Sequence, residues 1–286
     1  MKRTAVLDIE TFCPKEEILE IDLSYLKNRR DYQSEEDFSR DLATNPYVAC
    51  LISFALFFLE EDRAEVYYLS EKSLEEVGGS EYKVKVLYKS ISLKDGLLEA
   101  EKKLIEIFWG KLAQIGKLIT FHGKDFDINF VKIRTMIHEL KPKNFFLMAN
   151  HIDLKDVFAV GRRNYTLDFI ARRMGILLDK GNMDGSKVDG LFKNKEYKKI
   201  AEYNLRDVLI TGMLYQKIKG YITIQDPEVA GSLLKALDEN RLSSREVSDL
   251  IDLLLGQENP PTHKQKKYLQ SLLQQQLSPP LDEEIT

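Results

Sequence analysis

Asp8 and Glu10 stand two apart in a short alternating stretch, residues 4–10, where Ala5, Leu7 and Ile9 share one side and Val6, Asp8 and Glu10 the other. Successive strand residues point to opposite faces, so both acids leave the same face. Asp127 ends Phe121-His122-Gly123-Lys124-Asp125-Phe126-Asp127, which reads as a strand passing through a glycine turn into a helix start. Tyr203 and Asp207 are four apart in a helical stretch and therefore neighbours on one face. Carboxylates gathered from three such places suit hard divalent cations such as Mg²⁺ or Mn²⁺, which take oxygen ligands and stay partly hydrated. Two such ions about 3.5–4 Å apart can activate a water and stabilise a leaving 3′-oxygen in an in-line displacement. A phenol with an ordinary pKa near ~10 is a poor base at neutral pH, so Tyr203 is suited to orienting the attacking water.

Those side chains need a scaffold, and the hydrophobic pattern supplies one. Residues 48–59 form an apolar run long enough for a buried central strand, with 64–69 as its hairpin partner across Glu60-Glu61-Asp62. Residues 82–88 are expected to add an edge strand. Helical spacing over 96–113 precedes a short strand at 117–121, and a helix over 130–140 follows. A strand at His151-Ile152-Asp153 comes next, then a helix over 166–174 that Gly175 caps, and a long helix over 195–219 bounded by Gly220. The polar residues 13–46 read as an insertion with some helix rather than core. A meander followed by alternating helices and strands predicts an α/β domain with a mixed sheet.

From Asp226 the pattern is purely helical. Asp226-Pro227 suits a helix start, and Ser243 with Glu246 and Thr262 with Gln265 are capping-box patterns ahead of apolar stripes. Two domains are expected: residues 1–222, and a helical C-terminal extension at 223–286 with a disordered acidic end. The extension is a possible docking module for a protein partner.

At 286 residues, 43% hydrophobic and 31% charged, the chain has the composition of a globular protein with a sizeable core. The N-terminus reaches Asp8 and Glu10 before any apolar leader develops, and no segment has membrane-spanning length, so a cytoplasmic protein is expected. Cys13 and Cys50 are too few for a disulfide framework or a zinc cluster. A formal net charge of −4 excludes a generic polyanion-coating protein, so any nucleic acid must be held locally. A local excess of Arg162, Arg163, Arg172, Arg173, Lys180, Lys187, Lys193, Lys195, Lys198 and Lys199 is the candidate patch, although such a run is also what a solvated helix face looks like.

The order of the acidic stretches carries more information than any one of them. With Asp8-Ile9-Glu10-Thr11, Phe126-Asp127 and Tyr203 to Asp207, the sequence resembles the DEDD exonuclease superfamily, in the subgroup with a tyrosine in its third motif. It looks closest to predicted exonucleases similar to the proofreading domain of family-B DNA polymerases. The resemblance spans roughly residues 4–220, and its most specific stretches are residues 41–46, 151–154, 166–168 and 184–188. It implies a ribonuclease H-like fold, a mixed sheet flanked by helices. It also implies two divalent cations, Mg²⁺ or Mn²⁺, held by Asp8, Glu10, Asp127 and Asp207, with Tyr203 positioning the water. The substrate it implies is a nucleic-acid 3′ end, single-stranded DNA ahead of RNA, as in DNA repair. Thr11, Phe12, His122, Phe126, Arg162, Arg163 and Lys187 are the candidate contacts to that strand. His122 departs from the family, which commonly has asparagine there. No palm domain accompanies these motifs, so polymerisation is not expected. An RNA-trimming enzyme of the same mechanism and an inactive nucleic-acid-binding scaffold are the alternatives.

Overall fold

A computed structural model describes residues 3–79, 83–142, 151–160, 163–176 and 185–225. The expected helices and acidic end beyond residue 225, together with Arg162 and Lys180, lie outside the described residues. The strands are β1 (Arg3–Phe12), β2 (Cys50–Phe58), β3 (Arg63–Ser70), β4 (Glu75–Gly79), β5 (Lys85–Ser92), β6 (Ile115–Thr120) and β7 (His151–Asp153). The helices are α1 (Glu20–Lys27), α2 (Glu35–Thr44), α3 (Leu97–Leu112), α4 (Asp127–Ile137), α5 (Leu154–Val157), α6 (Leu167–Arg173), α7 (Val188–Lys193) and α8 (Tyr197–Gln225). The chain divides into two compact units, Met1–Leu214 and Tyr215–Thr286, and all the site's residues belong to the first.

The strands form one mixed sheet in the order β4-β5-β3-β2-β1-β6-β7. β1, β2 and β3 pair antiparallel, while β6 and β7 continue from β1 in parallel. This is the α/β, ribonuclease H-like arrangement that the motifs imply. β2 is central because each of its nine residues is apolar or small enough to be buried on either face.

Register fixes which helix sees which face. Ile9 pairs with Phe54, and Phe54 stacks on Tyr67 and meets Phe108 of α3 edge to face. Glu10 pairs with Ser53, Asp8 with Ala55 and Val6 with Phe57 on the opposite face. There Gly212 of α8 sits so close to the sheet that a methyl on it would lie 2.6 Å from Phe57 Cδ1. α3 and α8 therefore sandwich β1, with its apolar side toward α3 and its acids toward α8. Gly212→Ala is expected to lose net stability. The methyl's gain in helix propensity, about 1 kcal/mol, is outweighed by overpacking of about 1–3 kcal/mol. A urea midpoint that rises instead would show that close approach is not what the glycine provides.

Several expectations need correction. Residues 85–92 form a strand, but it pairs parallel with β3 and is covered by β4, which is the true edge. The insertion at 13–46 is not outside the core, since Leu26, Phe38 and Leu42 are buried within it. Gly220 does not end the long helix, which runs to Gln225; one glycine weakens a helix without breaking it. The short helix α7 was not anticipated.

Candidate functional site

Each acid arrives on a different piece of backbone. β1 carries Asp8 and Glu10 toward α8, and a register shift immediately after Glu10 ends the regular alternation, so Thr11 and Phe12 are both buried. The Thr11 hydroxyl donates to Ala43 O at 2.6 Å, tying the end of β1 to α2.

Asp127 is delivered by the turn between β6 and α4. His122 holds a left-handed backbone, φ 73°, a conformation in which Asn, Asp and His are enriched. That is a physical reason why histidine can stand where the family commonly has asparagine. Gly123 is required by space, since a Cβ there would lie 2.6 Å from Thr120 Cβ. The Asp153 carboxylate at the end of β7 accepts the amides of His122 at 2.7 Å, Lys124 at 2.9 Å and Lys155 at 3.0 Å, pinning the turn. Asp153 thus anchors the turn before α4 as well as its own. Beside it, burial pushes His151 down to about 4, keeping it neutral, with its Nε2 at 2.8 Å from Thr120 Oγ1. Asp127 then opens α4, and its Oδ1 accepts the Ile9 amide at 3.0 Å, between the two acids of β1.

α8 supplies Tyr203, Asn204 and Asp207. One carboxylate oxygen from each of Asp8, Glu10 and Asp207 lies within 4.8 Å of the others. Asp8 is held well above its ordinary carboxylate value, first by burial and then by Asp127, Asp207 and Glu10. Burial likewise lifts Asp127, to about 7. Tyr203 is raised above its ordinary value by burial and by the surrounding acids, so its phenol keeps its proton and bonds to Asp207. Acceptor-only oxygens crowded against one another in this way fit a hard divalent cation, which would relieve their repulsion. Asp127 lies beside the group of three, oriented by the Ile9 amide.

Asn204 was missed in the sequence. Fully buried, it donates to Asp8 Oδ2 at 2.6 Å and accepts the Ser53 hydroxyl at 3.0 Å. Arg40 was also missed. With Glu10, Thr11, Phe126 and Ser186 it lines a cleft of about 530 Å³ beside the acids.

Among the expected strand contacts, Phe126 lines this cleft while Phe12 does not. Phe12 is buried, with its ring 4.3 Å from that of Phe192, so it packs the core instead of offering a stacking face. His122 accepts a bond from Lys155 Nζ at its Nδ1, 3.0 Å away, and burial followed by Lys155 lowers its pKa. Arg163 is exposed and lines a separate hollow with Lys155 and Tyr165, and Lys187 ends a short 3₁₀ turn ahead of α7. Four lysines of the expected basic patch are engaged in ion pairs within the fold. Lys193 pairs with Asp189, Lys195 with Glu71, Lys198 with Glu76 and Lys199 with Glu196, and Lys198 also sits over the Tyr88 ring.

The fold and site together define an α/β protein with a partly buried cluster of carboxylates beside a tyrosine. Over residues 77–236 the chain matches the family described as "Predicted 3'-5' exonuclease related to the exonuclease domain of PolB", and it belongs to that family. The match takes in Asp127, Tyr203 and Asp207 and begins after Asp8 and Glu10, which the geometry adds. An uncharacterized protein of Methanocaldococcus jannaschii is 30% identical over 131 residues, 41% of this chain and 74% of that protein. DNA polymerase 1 of Sulfolobus acidocaldarius is 31% identical over 145 residues, 42% of this chain but 16% of the polymerase. Membership places the chain among predicted 3′-5′ exonucleases related to the polymerase-B exonuclease domain, a family that implies a nucleic-acid substrate. No helix among the described residues is long and apolar enough to cross a membrane.

Proposed function

We propose that this chain removes nucleotides from the 3′ ends of single-stranded DNA by a mechanism that uses two divalent ions, Mg²⁺ or Mn²⁺. The observation that carries this reading is the convergence of Asp8, Glu10 and Asp207 within 4.8 Å, drawn from the two ends of the catalytic unit. Asp127 is the fourth ligand, held in place by the Ile9 amide. The ions, when bound, supply activation of water and neutralisation of charge on the leaving 3′-oxygen.

The protein's own groups do the positioning. Tyr203, a phenol that stays protonated, orients the water through its hydroxyl. The cleft beside Glu10 takes the terminal nucleotide, with Phe126 and Thr11 on its wall and Arg40 toward phosphate. His122, Arg163 and Lys187 contact the strand farther along, and Phe12, buried, is not proposed as a contact. DNA is preferred to RNA because a relative carries the name of a DNA polymerase. Residues 1–222 form the catalytic domain of a cytoplasmic enzyme, and 223–286 a partner-docking extension.

The test uses 5′-labelled DNA and RNA of one sequence, with Mg²⁺, Mn²⁺ or EDTA, and an Asp8→Ala/Glu10→Ala variant alongside. The expected product is a ladder shortening from the 3′ end, dependent on metal, faster on DNA and absent with the variant. A faster RNA ladder would reverse the substrate assignment. Strand binding without cleavage by a folded protein would replace the enzyme with the scaffold alternative.

A further inference from the structure

We propose that Asn204 is a positioning residue that aims Asp8 at the metal centre, and that Ser53 holds Asn204 for the task. The inference rests on the two-ion reading above. Asn204 lies between Tyr203 and Asp207 on α8 and is fully buried. A buried amide with no partner is costly, so a leucine would serve packing alone better. Both ends of this amide are used. Its Nδ2 donates to Asp8 Oδ2 at 2.6 Å, and its Oδ1 accepts the Ser53 hydroxyl at 3.0 Å.

The orientation of the amide is forced. As a metal ligand Asp8 is ionised and only accepts, so the NH₂ end must face it, and the oxygen must then face a donor, which Ser53 provides. Ser53 pairs across the strands with Glu10 and therefore stands on the acid-bearing face, whereas Asp8 itself faces Ala55, which has no polar side chain. The neighbouring strand thus cannot fix the Asp8 carboxylate, and the helix must. Fixing one oxygen sets the rotation of the carboxyl group and so the aim of the other. An uncharged donor does this without neutralising Asp8, as a lysine or arginine at position 204 would.

Partners that orient a metal ligand typically govern metal affinity by about 10–100-fold. The experiment titrates Mn²⁺ into the full-length, metal-stripped protein by calorimetry, without nucleic acid, and records thermal unfolding in EDTA. Asn204→Leu is expected to bind Mn²⁺ about 10–100-fold more weakly while still unfolding cooperatively. Ser53→Ala leaves the amide in place and is expected to lose roughly threefold to tenfold, less than Asn204→Leu. The double variant is expected to match Asn204→Leu, because the serine acts only through the asparagine. Affinity within twofold of the parent in a folded Asn204→Leu protein would overturn the proposal. If that variant does not fold, unchanged affinity in Ser53→Ala overturns it instead. A parent protein that binds no Mn²⁺, or binds it equally well as Asp8→Ala, sinks the two-ion reading itself and this inference with it, a pattern distinct from a failure at Asn204 alone.

Discussion

Stripped of divalent ions, the protein is expected to lose stability as pH rises from about 4 to 7, and to recover it when Mg²⁺ or Mn²⁺ is added. Asp127 sits at about 7 in the fold, chiefly because burial disfavours its charge, and at ~3.9 in an unfolded chain. Below the lower value both states are protonated and the group contributes nothing. Between the two, the native state holds a proton that the unfolded state has released, so unfolding becomes easier with each step in pH. Above about 7 the penalty is complete, roughly 4 kcal/mol at ~1.4 kcal/mol per pH unit for this one group. Asp8 is shifted in the same direction by burial and by its acidic neighbours. A bound cation at a hundred times its dissociation constant restores ~2.7 kcal/mol. Asp127→Asn keeps an oxygen for the Ile9 amide and removes the charge. In EDTA at pH 8 it is expected to be more stable than the parent, to lose most of the pH dependence, and to lose cleavage by ~10³-fold, the scale of one preorganised electrostatic group. Urea melts at pH 5, 6.5 and 8, with and without Mn²⁺, check this. An asparagine variant less stable than the parent at pH 8 without metal would show that the carboxylates are not in conflict.

Such conflict is a reason the site can be read from sequence at all. Acids placed where burial penalises them need a function to be kept, and Asp8-x-Glu10, Asp127 and Asp207 appear where strand, turn and helix patterns aim them inward. The long apolar run of β2 and the alternation in β1 are likewise local consequences of being buried on two faces or one. β4 left no such mark. Glu75-Glu76-Val77-Gly78-Gly79 is wholly exposed and has weak strand propensity, and its pairing is decided by β5, which lies alongside. α2 hid its core face for the opposite reason. Phe38 and Leu42 are four apart and buried, but four acids and an arginine over residues 35–41 dominate the local composition.

Asn204 could not be found by any local rule, because the groups that define its role, Asp8 and Ser53, are 196 and 151 residues away. The partners of the lysines were hidden for a related reason. A run of positive charge in sequence says nothing of the acids brought to it by folding, and Glu71 from the β3–β4 connection and Glu76 from β4 reach Lys195 and Lys198 from more than 120 positions earlier. The stretch 41–46 was recognisable as distinctive but not explicable. In the fold, Ala43 O receives the Thr11 hydroxyl at the site, and Pro46 O receives Arg134 from a buried ionic cluster, so this short segment joins the two.

That cluster carries the largest expected loss of stability from a single substitution. Glu101 on α3 is 0% exposed and accepts Arg134 Nε at 2.8 Å and Nη2 at 2.5 Å, the Leu51 amide at 2.8 Å, and His138 Nε2 at 2.7 Å. Burial pushes its carboxyl up, but the bonds from His138 and Arg134 prevail and hold it below the ordinary value. Glu101→Ala would strand Arg134, itself 3% exposed, without its carboxylate. Removing one partner of a buried pair costs about 3–5 kcal/mol, a large share of a domain's total of ~5–15 kcal/mol. Glu101→Gln keeps an acceptor and is expected to lose less. Replacing both charges, as in Glu101→Met/Arg134→Met, is expected to recover much of the loss, because no unpaired charge remains. Arg134 stands on the helix that Asp127 opens, so the single Glu101→Ala change should loosen α4 and lower exonuclease activity even at temperatures where the protein stays folded. Chemical denaturation of the three variants, with the ladder assay run well below each transition, separates these effects. A Glu101→Ala protein within 1 kcal/mol of the parent would mean that Arg134 finds solvent or another partner, and that the cluster does not brace the helix beneath the site.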